Sequence, residues 1–373
     1  MLPRAIHLEP IFTRHNIREP VDNICAGDLH AMSGPVVWVL ADDRPGNRSQ
    51  GFGVAEVLGF PFVAKEIAYS RFGAYPNALL GASFFGLTAE SRSALVPLWP
   101  DITIGAGRRV APVARRIKRL AGGRTFIVQI MNPGWFDAAE IDLIAVPHHD
   151  QAKPGANILH VIGAPHQVRA DTLAKAADAW RGRVAHLPQP WIAVLVGGSA
   201  KGRALDGALI ADLAGNLEAF AKRAGGSLLI TSSRRTDPKA LDALLAQLTV
   251  PRYAHRWEPG AENPYLAFLA LAAAVVVTGD SMSMCSEACA SGAPVYIFAR
   301  DAFVTAKYAR LHRELYDLGF ARPLSDAAMT GRGGEFRHAH DMAPLSGRGE
   351  RARLNAADAI ASEIRKRLGL AVN

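Results

Sequence analysis

Residues 273–298 constrain the fold most. Val275, Val276 and Val277 form a β-branched apolar run of the kind used by a parallel strand buried on both faces. Thr278, Gly279 and Asp280 break that run. Residues 281–291 then read as a helix carrying Glu287 near its start, Gly292 and Pro294 stop it, and Val295 opens the next strand. A strand, a polar turn and a helix N-terminus are the parts that hold a phosphate. First-turn amides have no intrahelical acceptor, and the macrodipole places partial positive charge there. Ser281, Ser283 and Ser286 add hydroxyls, and Glu287, about one turn in, can accept both hydroxyls of a ribose. Taken alone, the same pattern equally describes an ordinary serine-capped helix.

A second turn of this kind lies about eighty residues earlier. An apolar strand over 191–196 runs into Gly197, Gly198, Ser199, Ala200, Lys201 and Gly202, and a helix follows from about Asp206. Glycines let the backbone turn tightly and approach an anion, while Ser199 and Lys201 offer a hydroxyl and a charge. The spacing matches neither GxxxxGK[ST] nor GxGxxG. Such a turn is often only structural; two of them in one α/β half are the more specific signal.

The chain has 373 residues, enough for two α/β domains, and no apolar run approaches the ~20 residues of a spanning helix. A net charge of +8 suits an anionic ligand, nucleic acid or an anionic membrane surface. No nucleic-acid-binding motif accompanies the charge, so nucleic acid is not expected as a partner. Cys285 and Cys289 stand four apart on the expected helix without histidines or further cysteines at ligand spacing. They read as buried small thiols rather than a zinc site, and no metal is expected.

Read in order, residues 1–31 form a tail or lie ahead of a natural start at Met32, since they carry mixed charges and no continuous apolar core. The first convincing strand, 36–41, leads into Asp42, Asp43, Arg44 and Asn47. The carboxyl end of a first strand is where open α/β sheets place ligands, so Asp43 or Asp42 is a candidate general base and Arg44 an anion clamp. A surface turn with an Asp cap explains the same residues. Further strands are expected near 62–67, 102–105, 125–130, 141–146 and 158–162, with a short apolar helix over 78–87. A helix around 173–180 completes this half. After the 102–105 strand, Val110, Val113, Ala114 and Ile117 share one helix face while Arg115, Arg116, Lys118 and Arg119 occupy the rest. That basic face either rests on anionic lipid or is simply solvated. His149 and Asp150 follow the 141–146 strand, as an oriented base or as a polar loop. Pro188 and Pro190 mark the domain boundary, giving a first half over 32–187 and a second over 191–373. The second half alternates strand and helix, which implies a parallel sheet. Ser232 and Arg234 end its second strand and Arg256 its third, in positions to line a nucleotide.

These features together resemble a known family. The layout is that of GT-B proteins: two Rossmann-like domains facing across a cleft, with a C-terminal helix closing back. The segments VVVTGDSMSMCSEACASGAPVYIF, ENPYLAFLALA, GAGRRVAPVAR and ADDRPGNRSQ resemble the "elongated mitochondria" fission-factor family over about residues 36–368. The chain is also similar in outline to the lipid-linked GlcNAc transferase of peptidoglycan synthesis. By that likeness Glu287 binds ribose, Ser281, Ser283 and Met284 frame a diphosphate, and Gly198 and Ser199, beside Gly197, contact it. The resemblance implies a metal-independent glycosyltransferase-like protein. A nucleotide sugar is then its substrate, an acceptor sits in the cleft and an anionic membrane is a peripheral contact; of the bases read from the strand ends, Asp43 ranks ahead of His149. That enzyme's first-strand loop carries a histidine where this chain has Asn47. The alternatives are a non-catalytic scaffold that recruits partners at a membrane and a non-hydrolysing nucleotide-sugar epimerase.

Overall fold

The computed structural model describes residues 34–134, 138–199, 202–328 and 353–371. The expectations for residues 1–31 and for Lys201 fall outside them. The first half contains β1 (Val37–Asp42), α1 (Pro45–Leu58), β2 (Phe62–Ile67), α2 (Asn77–Leu80), α3 (Ala89–Ser93), β3 (Ile102–Ala106), α4 (Ala111–Leu120), β4 (Phe126–Ile130), β5 (Leu143–Pro147) and β6 (Ile158–Val161). After α5 (Ala170–Val184) come β7 (Trp191–Val196), α6 (Gly207–Ala224), β8 (Ser227–Ser232), α7 (Pro238–Ala246), β9 (Arg252–His255), α8 (Tyr265–Leu271), β10 (Ala274–Thr278) and α9 (Met282–Cys289). The described chain ends with β11 (Val295–Phe298), α10 (Ala306–Asp317), β12 (Arg322–Pro323) and α11 (Ala356–Leu368). The strands form two parallel six-stranded sheets, ordered β2-β1-β3-β4-β5-β6 and β12-β11-β10-β7-β8-β9. This is the GT-B layout.

Strand periodicity distributes the core. In β1, Val37, Val39 and Ala41 pack with α1 and α11 residues, while Trp38 and Leu40 face Val110, Val113 and Ile117 near and on α4. In β10, Val275 and Val277 meet α5, α8 and α9, while Ala274 and Val276 meet α6 and α7. Helices therefore cover both faces of each sheet, as all-parallel sheets require.

The chain crosses between the sheets twice. The helix expected to complete the first half, α5, packs on the second: Trp180 meets Tyr253 and Phe268 edge-on with ring centroids 6.1 Å away, and Leu173 and Val184 join the same core. Its apolar face matches the groove beside α8, so the first sheet's own helices end before it. In return α11 leaves the second half and lies on α1, with Ile360 and Ile364 fully buried among first-half residues.

The expected helix over 78–87 is shorter than its apolar composition suggests. α2 makes one turn and stops at Gly81, whose φ of +54° leaves the helical region. Gly86 then presses against Gly73, where a Cβ would lie 3.1 Å from the Gly73 Cα, so backbone contact replaces helix there.

Candidate functional site

Loops at the carboxyl ends of both sheets carry the expected site residues. In the second half, the turn after β7 is closed against the strand beside it. The Gly197 amide donates to Thr278 Oγ1 at 2.7 Å and the Gly198 amide to Asp280 Oδ2 at 2.9 Å. A Cβ on Gly198 would stand 1.9 Å from the Arg235 carbonyl oxygen, so only glycine fits. Both amides expected to face a diphosphate are thus donated within the protein; among the described residues of the turn, Ser199 and Gly202 are exposed.

The start of α9 is built as the sequence implies. Ser281 is the N-cap, its side chain accepting weakly from the Met284 amide at 3.5 Å, and Ser283 is partly exposed. The amides of Met282 and Ser283 belong to the first turn and have no acceptor inside the helix. Ser286 is committed elsewhere: its hydroxyl donates to the Met282 carbonyl and accepts from the Ala164 amide at 2.9 Å, joining the halves. Glu287 lies one turn further, and its Oε2 accepts the Tyr265 hydroxyl at 2.6 Å. Burial pushes its carboxyl up to about 7, against the pull of that hydrogen bond.

Two other expected nucleotide contacts, Ser232 and Arg256, have structural partners. Ser232 Oγ accepts from the Trp257 amide at 2.9 Å and fixes the turn after β9. Arg256 pairs with Asp242 on α7. Arg234 is exposed, whereas its neighbour Arg235 turns inward, donating to the Ser199 carbonyl and to Asp280 at 3.2 Å each. The Ser233–Thr236 turn makes this choice, because the Thr236 hydroxyl is anchored to Val196 and the backbone at 235 then presses on Gly198.

In the first half, Asp42 is buried. Its Oδ1 accepts from the Arg44 amide and from Arg109, both at 2.9 Å, and its Oδ2 from Asn47 at 3.1 Å. Burial raises its pKa. Asp43 is exposed and pairs with Arg109, which itself stacks 4.0 Å over the Tyr69 ring. The hydrogen bond with Asp42 and the Arg109 guanidinium hold the Asp43 carboxyl below its usual range. Arg109 clamps this pair. His149 is 3% exposed, and burial lowers its pKa to about 4. Neither ring nitrogen has a hydrogen-bond partner, and Nε2 stands 3.5 Å from Asp150 Oδ1.

The two sets of loops meet. A Cβ on Gly46 would lie 3.4 Å from Ser283 Oγ, so the first turn of α1, just after the loop bearing Asp43, lies against the start of α9. Beside this contact, α10 grips the turn after β5: Arg310 donates to the His149 carbonyl at 3.0 and 2.9 Å, His148 Nδ1 lies 2.6 Å from Glu314, and Lys307 pairs with Asp150. Among the described residues, no group of three or more His, Cys, Asp or Glu is placed to hold a metal ion, and no helix is long and apolar enough to cross a membrane.

The family pattern described as Mitochondrial fission ELM1 matches residues 45–368, nearly the whole described chain. The chain belongs to this family. The Mitochondrial fission protein ELM1 of Arabidopsis thaliana is 29% identical over 267 residues, 66% of this chain and 62% of that protein, so the chain spans less than two thirds of that relative's length. An uncharacterized protein of Rickettsia prowazekii is 26% identical over 324 residues, 78% of this chain and 91% of the other. In three dimensions the ELM1-family chain is similar to the UDP-GlcNAc 2-epimerase of Methanocaldococcus jannaschii, with a TM-score of 0.55, 12% identity and coverage of 90% and 99%. It is also similar to the UDP-GlcNAc 2-epimerase of Neisseria meningitidis, solved with UDP-GlcNAc bound, at a TM-score of 0.51, 12% identity and coverage of 89% and 99%. At such identity the likeness is one of fold.

Two residues escaped the sequence reading, Asp280 and Arg235. Asp280 was visible only as a turn breaker. Its charge gains meaning from an arginine 45 positions away, and nothing in the local pattern separates Arg235 from Arg234.

Proposed function

We propose that this chain binds a nucleotide sugar between its two sheets and transfers the sugar to an acceptor held by the first half. One observation carries the reading: the first turn of α1, just after the Asp43 loop, abuts the start of α9, and one turn along that helix stands a carboxyl group whose pKa is about 7. Perturbed groups of this kind concentrate at functional sites. Glu287 holds the ribose and the first turn of α9, with Ser281, Ser283 and Ser199, holds the diphosphate. Asp43 is the first candidate for the base and His149 the second. The departing diphosphate is stabilised by fixed donors, which do that work without a metal ion.

A second reading, interconversion of a nucleotide sugar without an acceptor, is supported by the epimerases whose fold the chain shares. A third is a non-catalytic scaffold, since the family is described by mitochondrial fission and not by a reaction. For membrane contact, the exposed side chains of Tyr75, Leu79 and Phe85 are better suited than α4.

The test is a thermal-shift and calorimetric screen against UDP, GDP, CMP and their sugars. A true ligand at a hundred times its dissociation constant stabilises the protein by about 2.7 kcal/mol. Glu287→Ala abolishes that shift while keeping the fold, and Asp43→Asn keeps binding but stops nucleotide release. No stabilisation by any of these ligands refutes the reading. Sugar interconversion without an acceptor moves it to the epimerase, and binding without turnover to the scaffold.

A further inference from the structure

In the seat assigned to a diphosphate, the protein already holds a negative charge. The Asp280 carboxylate is 1% exposed, and three donors converge on it: the Thr278 hydroxyl at 2.7 Å, the Gly198 amide at 2.9 Å and Arg235 Nη2 at 3.2 Å. Arg235 continues through Nη1 to the Ser199 carbonyl at 3.2 Å. The turn is moulded on this group, since a Cβ on Gly197 would lie 2.0 Å from Asp280 Oδ1. An amide, a hydroxyl and a guanidinium are the donors that a phosphate oxygen takes. Asp280 is sealed from solvent, whereas the Arg235 side chain is 37% exposed beside open Ser199, so the arginine is the member of the pair that a ligand can reach. A buried carboxylate left without its cation is costly, so the protein resists giving Arg235 up.

We propose that Asp280 is a built-in competitor anion: a diphosphate-bearing ligand gains Arg235 only by drawing it from Asp280, and this exchange sets the affinity of the seat. The proposal rests on the nucleotide-sugar reading for the identity of the ligand, but the exchange itself concerns any diphosphate. It makes Asp280 a positioning residue that acts through Arg235. It also gives the Gly197–Gly198 turn a purpose other than direct contact, which is to present the acid that holds the arginine in wait.

Calorimetric titration of UDP-GlcNAc and of inorganic pyrophosphate into the whole protein tests this. Asp280→Asn keeps the shape of the side chain and removes its charge; it binds pyrophosphate about tenfold tighter than the unaltered protein, the scale of one hydrogen bond to a charged group. Arg235→Met loses pyrophosphate, and in the double variant the gain from Asp280→Asn disappears, a coupling that a merely structural acid would not produce. Circular-dichroism melts establish that each variant is folded. Should Asp280→Asn unfold, the unaltered protein still answers: the nitrogen-15 resonance of the Arg235 guanidinium moves on addition of pyrophosphate, and an unmoved resonance overturns the proposal. Equal or weaker pyrophosphate binding by Asp280→Asn overturns it as well. UDP-GlcNAc binding that is the same with and without the Asp280 charge rejects the exchange and leaves the nucleotide-sugar reading standing. Tighter pyrophosphate binding with no nucleotide bound by any form upholds the exchange and removes that reading. Binding of neither probe by any form overturns both.

Discussion

At the scale of single residues, Glu287 carries the sharpest consequence, because the fold pays for it. Its carboxyl sits at about 7 in the folded protein against 4.5 in an open chain, raised by burial. A raised pKa means that the protonated side chain suits the fold. Its full contribution is present below pH 4.5 and is lost as pH rises through 7. Glu287→Gln cannot ionise, so it melts close to the unaltered protein at pH 5 and a few degrees above it at pH 8, with nucleotide affinity reduced. Melting curves at the two pH values decide this; an equal offset at both rules out a buried ionising group. The glycine turn gives a second residue-scale outcome. Gly198→Ala sets a Cβ against the Arg235 carbonyl and destabilises by about 1–3 kcal/mol, as overpacking does. Gly207→Ala, in open space on α6, leaves stability the same or better. Urea melts of both variants compare them directly. Glu287 and the glycines were legible because helix starts and tight turns are local features of sequence. Asp280 and Arg235 were not, because an ion pair between two loops is fixed only when the sheet brings β7, β8 and β10 side by side.

At the scale of elements, the strands were readable almost to their ends, since all but the edge strands of a parallel sheet are short apolar runs bounded by turn residues. Helix roles were less legible. The spacing on α4 predicted its buried face correctly, with Val110, Val113, Ala114 and Ile117 all buried. Its basic face reads differently in three dimensions. Arg115 and Arg119 pair with Glu140 at 2.6 and 2.7 Å, and Lys118 with Asp142 at 2.7 Å. The arginines hold the Glu140 carboxyl down at about 2. Acids 21 to 25 residues away thus offset half the charge of a helix that looks uniformly positive along the chain. Arg119 is exposed, but Arg115 is buried and Asp142 also accepts the Ile127 amide, so removing the acids changes charge and costs stability as well. Glu140→Gln with Asp142→Asn therefore raises sedimentation of the protein with phosphatidylserine vesicles above the unaltered level, at a lowered melting temperature. No change in vesicle binding would show that α4 does not face lipid. The last helix behaves in the opposite way. Ile360 on α11 is fully buried against the first half, and Ile360→Ala costs about 2–5 kcal/mol, measured by denaturant unfolding.

At the scale of the molecule, the halves are tied by exchanged helices and by one charged latch. The proline boundary near 188 marks where the second sheet begins in sequence. The spatial halves differ from that division because α5 and α11 each pack on the sheet that the linear order does not assign them. Exchange of this kind depends on which groove matches an apolar face, and a face does not name its partner. The chain crosses between the halves at two segments, while α10 holds the turn after β5 through Arg310, Lys307 and Glu314. The latch contacts are polar and the exchanged helices apolar, so the latch is the part that can open without unfolding either core. Two-layer proteins close a cleft on a ligand by hinge movement about a few such segments. A ligand that touches both halves must therefore favour the latched state by the difference in its contacts. Lys307→Ala with Arg310→Ala removes the cationic side of the latch. The double variant has a larger radius of gyration in small-angle scattering than the unaltered protein, with an unchanged circular-dichroism spectrum, and a bound nucleotide sugar brings the radius back toward the unaltered value. A double variant as compact as the original would mean that α5, α11 and the Ser286 contact alone hold the halves together, and that the cleft does not open at this face.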